Sequence, residues 1–214
     1  MNPAADGVKY AYAAAREFVA GLTIPEKVNL TTGVGWMSER CVGNTGSIPR
    51  LGLRGLCLQD GPHGLRFTDY NSVFPSGQLS AGTWDRVLLN RRARAMGEEA
   101  KGKGIDILLA PVAGPIGRIP AGGRNWEGFS PDPYLTGVGM AESAQGIRAA
   151  GVIATAKHFV GNEQGEIPTS LFHHHRSPYK AHWPLTNAHR TLPPGPRGPG
   201  PRLRDRRVYV FQHR

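Results

Sequence analysis

TWDRVLLNRRARAMGEEAKGKGIDILLAP, residues 83–111, decides the fold class. Thr83 stands where a helix N-cap belongs, and Gly104 stops the helix after about Lys103. Ile105 to Ala110 is then a short apolar run closed by Pro111, which reads as a buried strand. A helix feeding directly into a buried strand is half of a crossover unit. The flanking sequence supplies the rest. Upstream, Gly55 to Gln59 is a short apolar strand ending at Asp60-Gly61-Pro62. Downstream lies a long Gly/Pro-rich loop, Val112 to Pro131. Asp132-Pro133 then opens a helix with a cap and an N1 proline, and Gly151 ends it. Val152 to Phe159 is a third apolar strand, interrupted at its end by Lys157-His158. Strand, helix, strand, helix, strand in this order indicates an α/β fold with a parallel sheet. Nearer the N-terminus, Tyr10 to Gly21 reads as a helix. Thr23 and Glu26 have capping-box spacing, and Gly33 ends the helix that follows. No repeat of 20–50 residues is evident.

Bulk properties narrow the class. A chain of 214 residues is one domain's worth, while a complete (β/α)8 barrel takes about 250. No apolar run is long enough to span a membrane. Residues 1–7, MNPAADG, lack a basic n-region and an apolar h-region, so they do not read as a secretory signal. That leaves a chain numbered from its mature start, a misplaced start, or a protein kept inside the cell. The net charge of +10 is concentrated: residues 165–214 hold nine Lys/Arg against Glu166 and Asp205. The same segment holds 8 of the 18 prolines and 6 of the 8 histidines, and Pro193 to Pro201 reads PPGPRGPGP. Such a segment buries too little apolar surface to offset its ordering entropy. It is expected to be disordered, with Arg207 to Gln212 at best a stray strand. The basic balance belongs to this tail, so no nucleic-acid partner is expected.

Cys41 and Cys57 are the two cysteines, with 15 residues between them. A disulfide and a pair of unrelated buried thiols both fit that spacing. Asn29-Leu30-Thr31 is a glycosylation sequon, a weak pointer to the secretory pathway.

The polar residues gather where each strand ends, and in α/β sheets that edge binds ligands. LQDGPHGLR (58–66) places a carboxylate, Asp60, at a strand mouth and a guanidinium, Arg66, after the turn. An ionised Asp accepts two hydroxyl hydrogen bonds at once, which suits a vicinal diol; a turn-capping Asp paired with Arg66 is the plainer alternative. GGRNWEGFSPDP (122–133) sets Arg124 and Glu127 beside Trp126, whose ring could pack on a sugar face. In TAKHFVGNEQ (155–164), Lys157 and His158 point to opposite faces under simple strand alternation. They reach one pocket only if the strand twists or ends there. Dinucleotide, Walker and nucleophile-elbow motifs are absent. His173, His174, His175 and His182 sit in the tail without cysteine partners, so no metal site and no cofactor is expected.

GLCLQDGPHGLRF, FPSG, GTWDR, MGEEAKGKGIDILLAPVAGPIGR, GGRNWEGFSPDPYLTG and GVIATAKHFVGNEQ follow one another in this chain. In that order they resemble fungal β-glucosidases of glycoside hydrolase family 3, continuously from about Tyr12 to Gln164. The resemblance implies the first part of an incomplete (β/α)8-like barrel over residues 1–164, with an unrelated tail over 165–214. It implies retaining hydrolysis of terminal β-glucosyl residues of small β-glucosides such as cellobiose, and a role in cellulose breakdown. It assigns Asp60, Arg66, Arg124, Lys157 and His158 to glucose binding in the first subsite. It pairs Cys41 with Cys57 in a disulfide, makes Asn29 a glycosylated site, and implies secretion.

Two departures qualify this. The family's nucleophilic Asp lies in a Ser-Asp-Trp-like motif downstream of Lys-His, and its acid/base Glu comes from a second domain. No Ser-Asp-Trp occurs here, so no catalytic residue is assigned and the chain is expected to be inactive. His63 stands where close fungal relatives commonly have Leu. Family sequence is expected to give way near Gly165, as a frameshift or a read-through intron would produce. A sugar-binding fragment and a basic-tailed interaction protein are the alternatives.

Overall fold

The computed structural model of the chain describes residues 3–37, 39–113, 124–158 and 209–210. Arg118, Gly122, Gly123, Phe159, Glu163 and the tail from 165, apart from Tyr209 and Val210, lie outside the described residues. The chain forms two compact units, which divide after Leu58.

The first unit holds α1 (Pro3–Ala20), α2 (Ile24–Thr32), β1 (Gly43–Asn44) and a 3₁₀ turn at Pro49–Leu51. α1 starts well before Tyr10, because Pro3 is tolerated in a first turn and the Ala-rich stretch propagates well. The capping box of α2 forms: Thr23 Oγ1 accepts from the Glu26 amide, and Glu26 Oε2 accepts from the Thr23 amide at 2.8 Å. Arg50 forks onto the same carboxylate with two 2.7 Å contacts. Arg50 and the Thr23 amide together hold Glu26 down to about 2. Gly33 ends α2 at φ 74°, a conformation that favours glycine. Cys41 and Cys57 form a disulfide with Cα atoms 5.5 Å apart, and both residues are buried. β1 pairs antiparallel with the start of β2, Gly43 opposite Leu58 and Asn44 opposite Cys57. Nothing in a Gly-Asn pair signals a strand, so the sequence gives no sign of this antiparallel pairing.

The second unit carries the alternation. It contains the end of β2 (Cys57–Asp60), α3 (Gly77–Ala81), α4 (Arg86–Gly102) and β3 (Ile107–Leu109). After a 3₁₀ turn at Asn125–Glu127 come α5 (Pro133–Ala149), β4 (Ile153–Ala156) and β5 (Tyr209–Val210). The sheet order is β2-β3-β4-β5. β3 and β4 are parallel, with Ile107 opposite Ile153 and Leu108 opposite Ala154, and α5 makes the crossover between them. β5 adds two parallel residues to β4 within the stretch expected to hold at most a stray strand.

Asp85, not Thr83, caps α4. Its Oδ1 accepts from the Val87 and Leu88 amides at 2.8 and 3.0 Å, whereas the Thr83 hydroxyl donates to the Ser80 carbonyl. A carboxylate satisfies two orphan amides and suits the positive end of the helix dipole. α3 is capped by Ser76 but is too short to show a period in the sequence.

Leu89, Ala93, Met96, Gly97 and Ala100 form the buried stripe of α4, spaced as an amphipathic helix requires. It meets α5 at close range. A Cβ at Gly146 would sit 2.8 Å from the Arg94 amide nitrogen, and one at Gly97 would sit 2.9 Å from the Ala150 methyl. Glycine at both places allows the backbones to touch. Beneath them Leu108, Ala154 and Ala156 bring the strands into the core, which Phe129 closes. Among the described residues no helix is long and apolar enough to cross a membrane.

Candidate functional site

β2 stops where Gly61-Pro62 ends the ladder, and its last residue is Asp60. The turn that follows is tied shut. Gln59, fully buried, donates to the Arg66 carbonyl at 2.6 Å, and the Arg66 amide donates to the Asp60 carbonyl at 3.1 Å. This brings Arg66 back over its own strand, where Nη1 reaches Asp60 Oδ2 at 3.4 Å. That contact is long for an ion pair, and the Arg66 side chain is 58% exposed. Its guanidinium also lies 4.8 Å over the Phe67 ring.

Lys157 follows the last residue of β4 and is pinned from both sides. Its amide donates to the Pro111 carbonyl at 2.9 Å, and its carbonyl accepts from the Ala113 amide at 2.6 Å. The side chain, 7% exposed, reaches across the sheet to Asp60, with Nζ 2.7 Å from Oδ1. Strands β2 and β4 therefore deliver a buried ion pair to the same edge. The Lys157–His158 peptide bond is cis.

The 3₁₀ turn supplies a second pair. Arg124 Nε and Nη2 fork onto the two Glu127 oxygens at 2.5 and 2.7 Å. Burial pushes the Glu127 carboxyl up, but Arg124, Lys157 and His158 outweigh it and hold it below the usual range. Glu127 raises the Arg124 guanidinium in turn, and Asp60 adds to that. His158 is kept neutral: burial, then Lys157 and Arg124, push it down to about 4. His63 stacks on Trp126 with ring centroids 4.3 Å apart. Burial, then the Arg92 charge, hold its imidazole at about 4 as well.

The structure thus brings Asp60, Arg66, Arg124, Lys157 and His158 into one electrostatic neighbourhood at one edge of the sheet. Asn29 lies in the first unit, exposed on α2, where its Nδ2 donates to the Ser47 carbonyl at 3.0 Å. Sequence reasoning did not give Glu127 its role as the fork partner of Arg124. The signal was the Arg-x-x-Glu spacing, which a 3₁₀ turn eclipses onto one side. It also noted His63 only as a departure from relatives and not as the stacking partner of Trp126. Nothing in the sequence joins those two residues.

Two anionic acceptors, three cationic donors and two neutral imidazoles suit a ligand with many hydroxyls. Both carboxylates are matched by cations, and Glu127, held below the usual carboxylate range, is a poor proton donor. Among the described residues no group of three or more His, Cys, Asp or Glu is placed to hold a metal ion.

The model of the glycosyl hydrolase family 3 N-terminal domain matches residues 15–178, past the boundary expected at Gln164. A probable β-glucosidase A of Aspergillus terreus is 61% identical over 166 residues, 76% of this chain and 19% of the relative. A family 3 β-glucosidase of Neurospora crassa superposes with a TM-score of 0.71 at 62% identity. That alignment covers 77% of this chain and 20% of the other. β-Glucosidase 3B of Thermotoga neapolitana, solved in complex with α-D-glucose, gives 0.64 at 37% identity, covering 69% and 23%. The chain spans about a fifth of the length of the relatives it matches. Its α/β arrangement is the one those structures share over the matched region, and the chain belongs to glycosyl hydrolase family 3, as part of the family's N-terminal domain.

Proposed function

We propose that residues 60–158 form the glucose-recognising part of a β-glucosidase, an enzyme that hydrolyses terminal β-glucosyl residues with retention. The observation that carries this is the buried Asp60 carboxylate, fixed by Lys157 at 2.7 Å and approached by Arg66. A carboxylate accepts several hydrogen bonds at once, which suits adjacent sugar hydroxyls. Arg124 and His158 lie in the same electrostatic neighbourhood. Small β-glucosides such as cellobiose are the substrates this reading assigns, as in cellulose breakdown.

Recognition is separate from bond cleavage. Retention needs a nucleophilic carboxylate and an acid/base carboxyl about 5–5.5 Å apart. Asp60 and Glu127 are both tied to cations, which makes each a poor proton donor, so this pair lacks the acid/base carboxyl. We assign positioning to this cluster and leave the covalent step to carboxyls outside it. The test is a chimera in which this chain replaces the matching fifth of the Aspergillus terreus relative. It should hydrolyse an aryl β-glucoside, and Asp60→Ala should abolish the activity. A chimera that folds and stays inactive, or one indifferent to Asp60, contradicts the reading.

Secretion and glycosylation at Asn29 belong to the same proposal. The Cys41–Cys57 disulfide supports an oxidising compartment. Expression in a fungal host should give a product whose gel mobility shifts on endoglycosidase treatment, and Asn29→Gln should remove the shift.

A further inference from the structure

Arg92 points inward from the middle of α4 and has no place in the sugar contacts above. Its Nε donates to the Pro75 carbonyl at 2.7 Å and its Nη2 to the Pro62 carbonyl at 2.7 Å. One rigid guanidinium thus grips two separate stretches of chain. Pro62 lies in the turn that follows Asp60. Pro75 lies two residues ahead of Gly77, the start of α3. That start rests on the Glu127–Gly128 backbone so closely that a Cβ on Gly77 would lie 2.9 Å from the Gly128 carbonyl oxygen. The two stretches also meet directly, the Phe74 amide donating to the His63 carbonyl at 2.6 Å. Asp60 hangs from one arm of this clamp. Glu127, which holds Arg124, abuts the other.

We infer that Arg92 is a positioning residue of the sugar subsite, fixing the Asp60 turn relative to the Glu127–Arg124 turn through its two carbonyl contacts. This rests on the sugar-recognition reading of the cluster. The geometry explains why arginine occupies the site. A planar fork holds two carbonyls in fixed directions, while a lysine ammonium on a flexible stem does not. Arg92 keeps its charge: burial lowers it only to about 10. That charge also reaches His63, which sits among Arg92, Glu127 and Lys157 and against Trp126. Arg92 therefore acts twice, by shape on the two turns and by charge on the imidazole.

The experiment uses the 214-residue chain with Arg92→Lys, Arg92→Met and, as a control, Arg94→Met, which removes an exposed ion pair with Glu98 on the same helix. Glucose affinity is measured by calorimetry, and amide shifts and the His63 imidazole titration by NMR. Arg92→Lys should weaken glucose binding about 10-fold, the scale of one lost hydrogen bond, and shift the amides of 60–66 and 127–128. Arg92→Met should do the same and also raise the His63 titration from about 4, which a purely structural brace would not do. Arg94→Met should leave all three unchanged. Wild-type affinity in both Arg92 variants would overturn the proposal. Should Arg92→Met not fold, Arg92→Lys decides alone. Should wild type bind no glucose, the sugar reading fails by itself. Arg92 is then judged by the amide shifts, and unchanged shifts in Arg92→Lys refute the clamp.

Discussion

Removing the Asp60 carboxylate leaves Lys157 as an ammonium 7% exposed with its 2.7 Å partner gone. Breaking one half of a buried pair costs about 3–5 kcal/mol, most of it the penalty of the stranded charge. Asp60→Ala should therefore lower the urea midpoint, and Asp60→Ala with Lys157→Met should recover much of the loss. If the double variant is no more stable than the single one, the pair does not carry the energy assigned to it. Acid should act on the same neighbourhood. His63 and His158 titrate near 4 in the folded chain and near 6.5 when unfolded. Between those values the unfolded chain binds more protons, so stability rises with pH across the window and falls on acidification. Glu127, depressed in the fold, adds stability above its unfolded value that is lost at lower pH. A urea midpoint that holds constant from about pH 7 to about pH 4.5 would contradict this. At this scale the sequence showed the donors and acceptors and offered the local Asp60–Arg66 pair, but not the Lys157–Asp60 or Arg124–Glu127 pairing. Lys157 reaches Asp60 across 97 positions because β2 and β4 end at the same sheet edge, a fact of topology that no local pattern encodes.

Elements were more legible. Gly33, Asp132, Pro133 and the Thr23/Glu26 box act at their boundaries as capping chemistry requires. The failures have physical causes. α3 is too short for a helical period, β1 is a Gly-Asn pair, and Asp85 outcompetes Thr83 as a cap because a carboxylate satisfies two amides. The α4–α5 contact gives a sharper test. A Cβ at Gly146 intrudes on α4's backbone, which cannot yield as a side-chain tip can. Gly146→Ala should cost about 1–3 kcal/mol despite its better helix propensity. A neutral or stabilising result would mean the helices separate more easily than their packing indicates. In the first unit, removing the Cys41–Cys57 bridge should lower stability by about 3 kcal/mol, the loop-closure value for roughly 15 residues, as measured by urea unfolding with and without reductant.

For the whole molecule, the alternation of strand and helix was readable because buried parallel strands are short apolar runs between unambiguous breakers. The family followed from motifs in order, and the relatives it matches are about four times as long as this chain. The 214-residue chain alone should hydrolyse an aryl β-glucoside no faster than a control without protein. Turnover at an ordinary rate, abolished by changing Glu127, would give that residue a chemical role in place of a positioning one. The central claim is that Asp60, Arg66, Arg124, Lys157 and His158 form a surface that recognises glucose. A calorimetric titration of glucose into the wild-type chain and into Asp60→Asn, which preserves shape and removes charge, tests it most directly. The account predicts saturable one-to-one binding in the wild type and its loss in the variant. Binding of equal strength in both, or none in a correctly folded wild type, would contradict it.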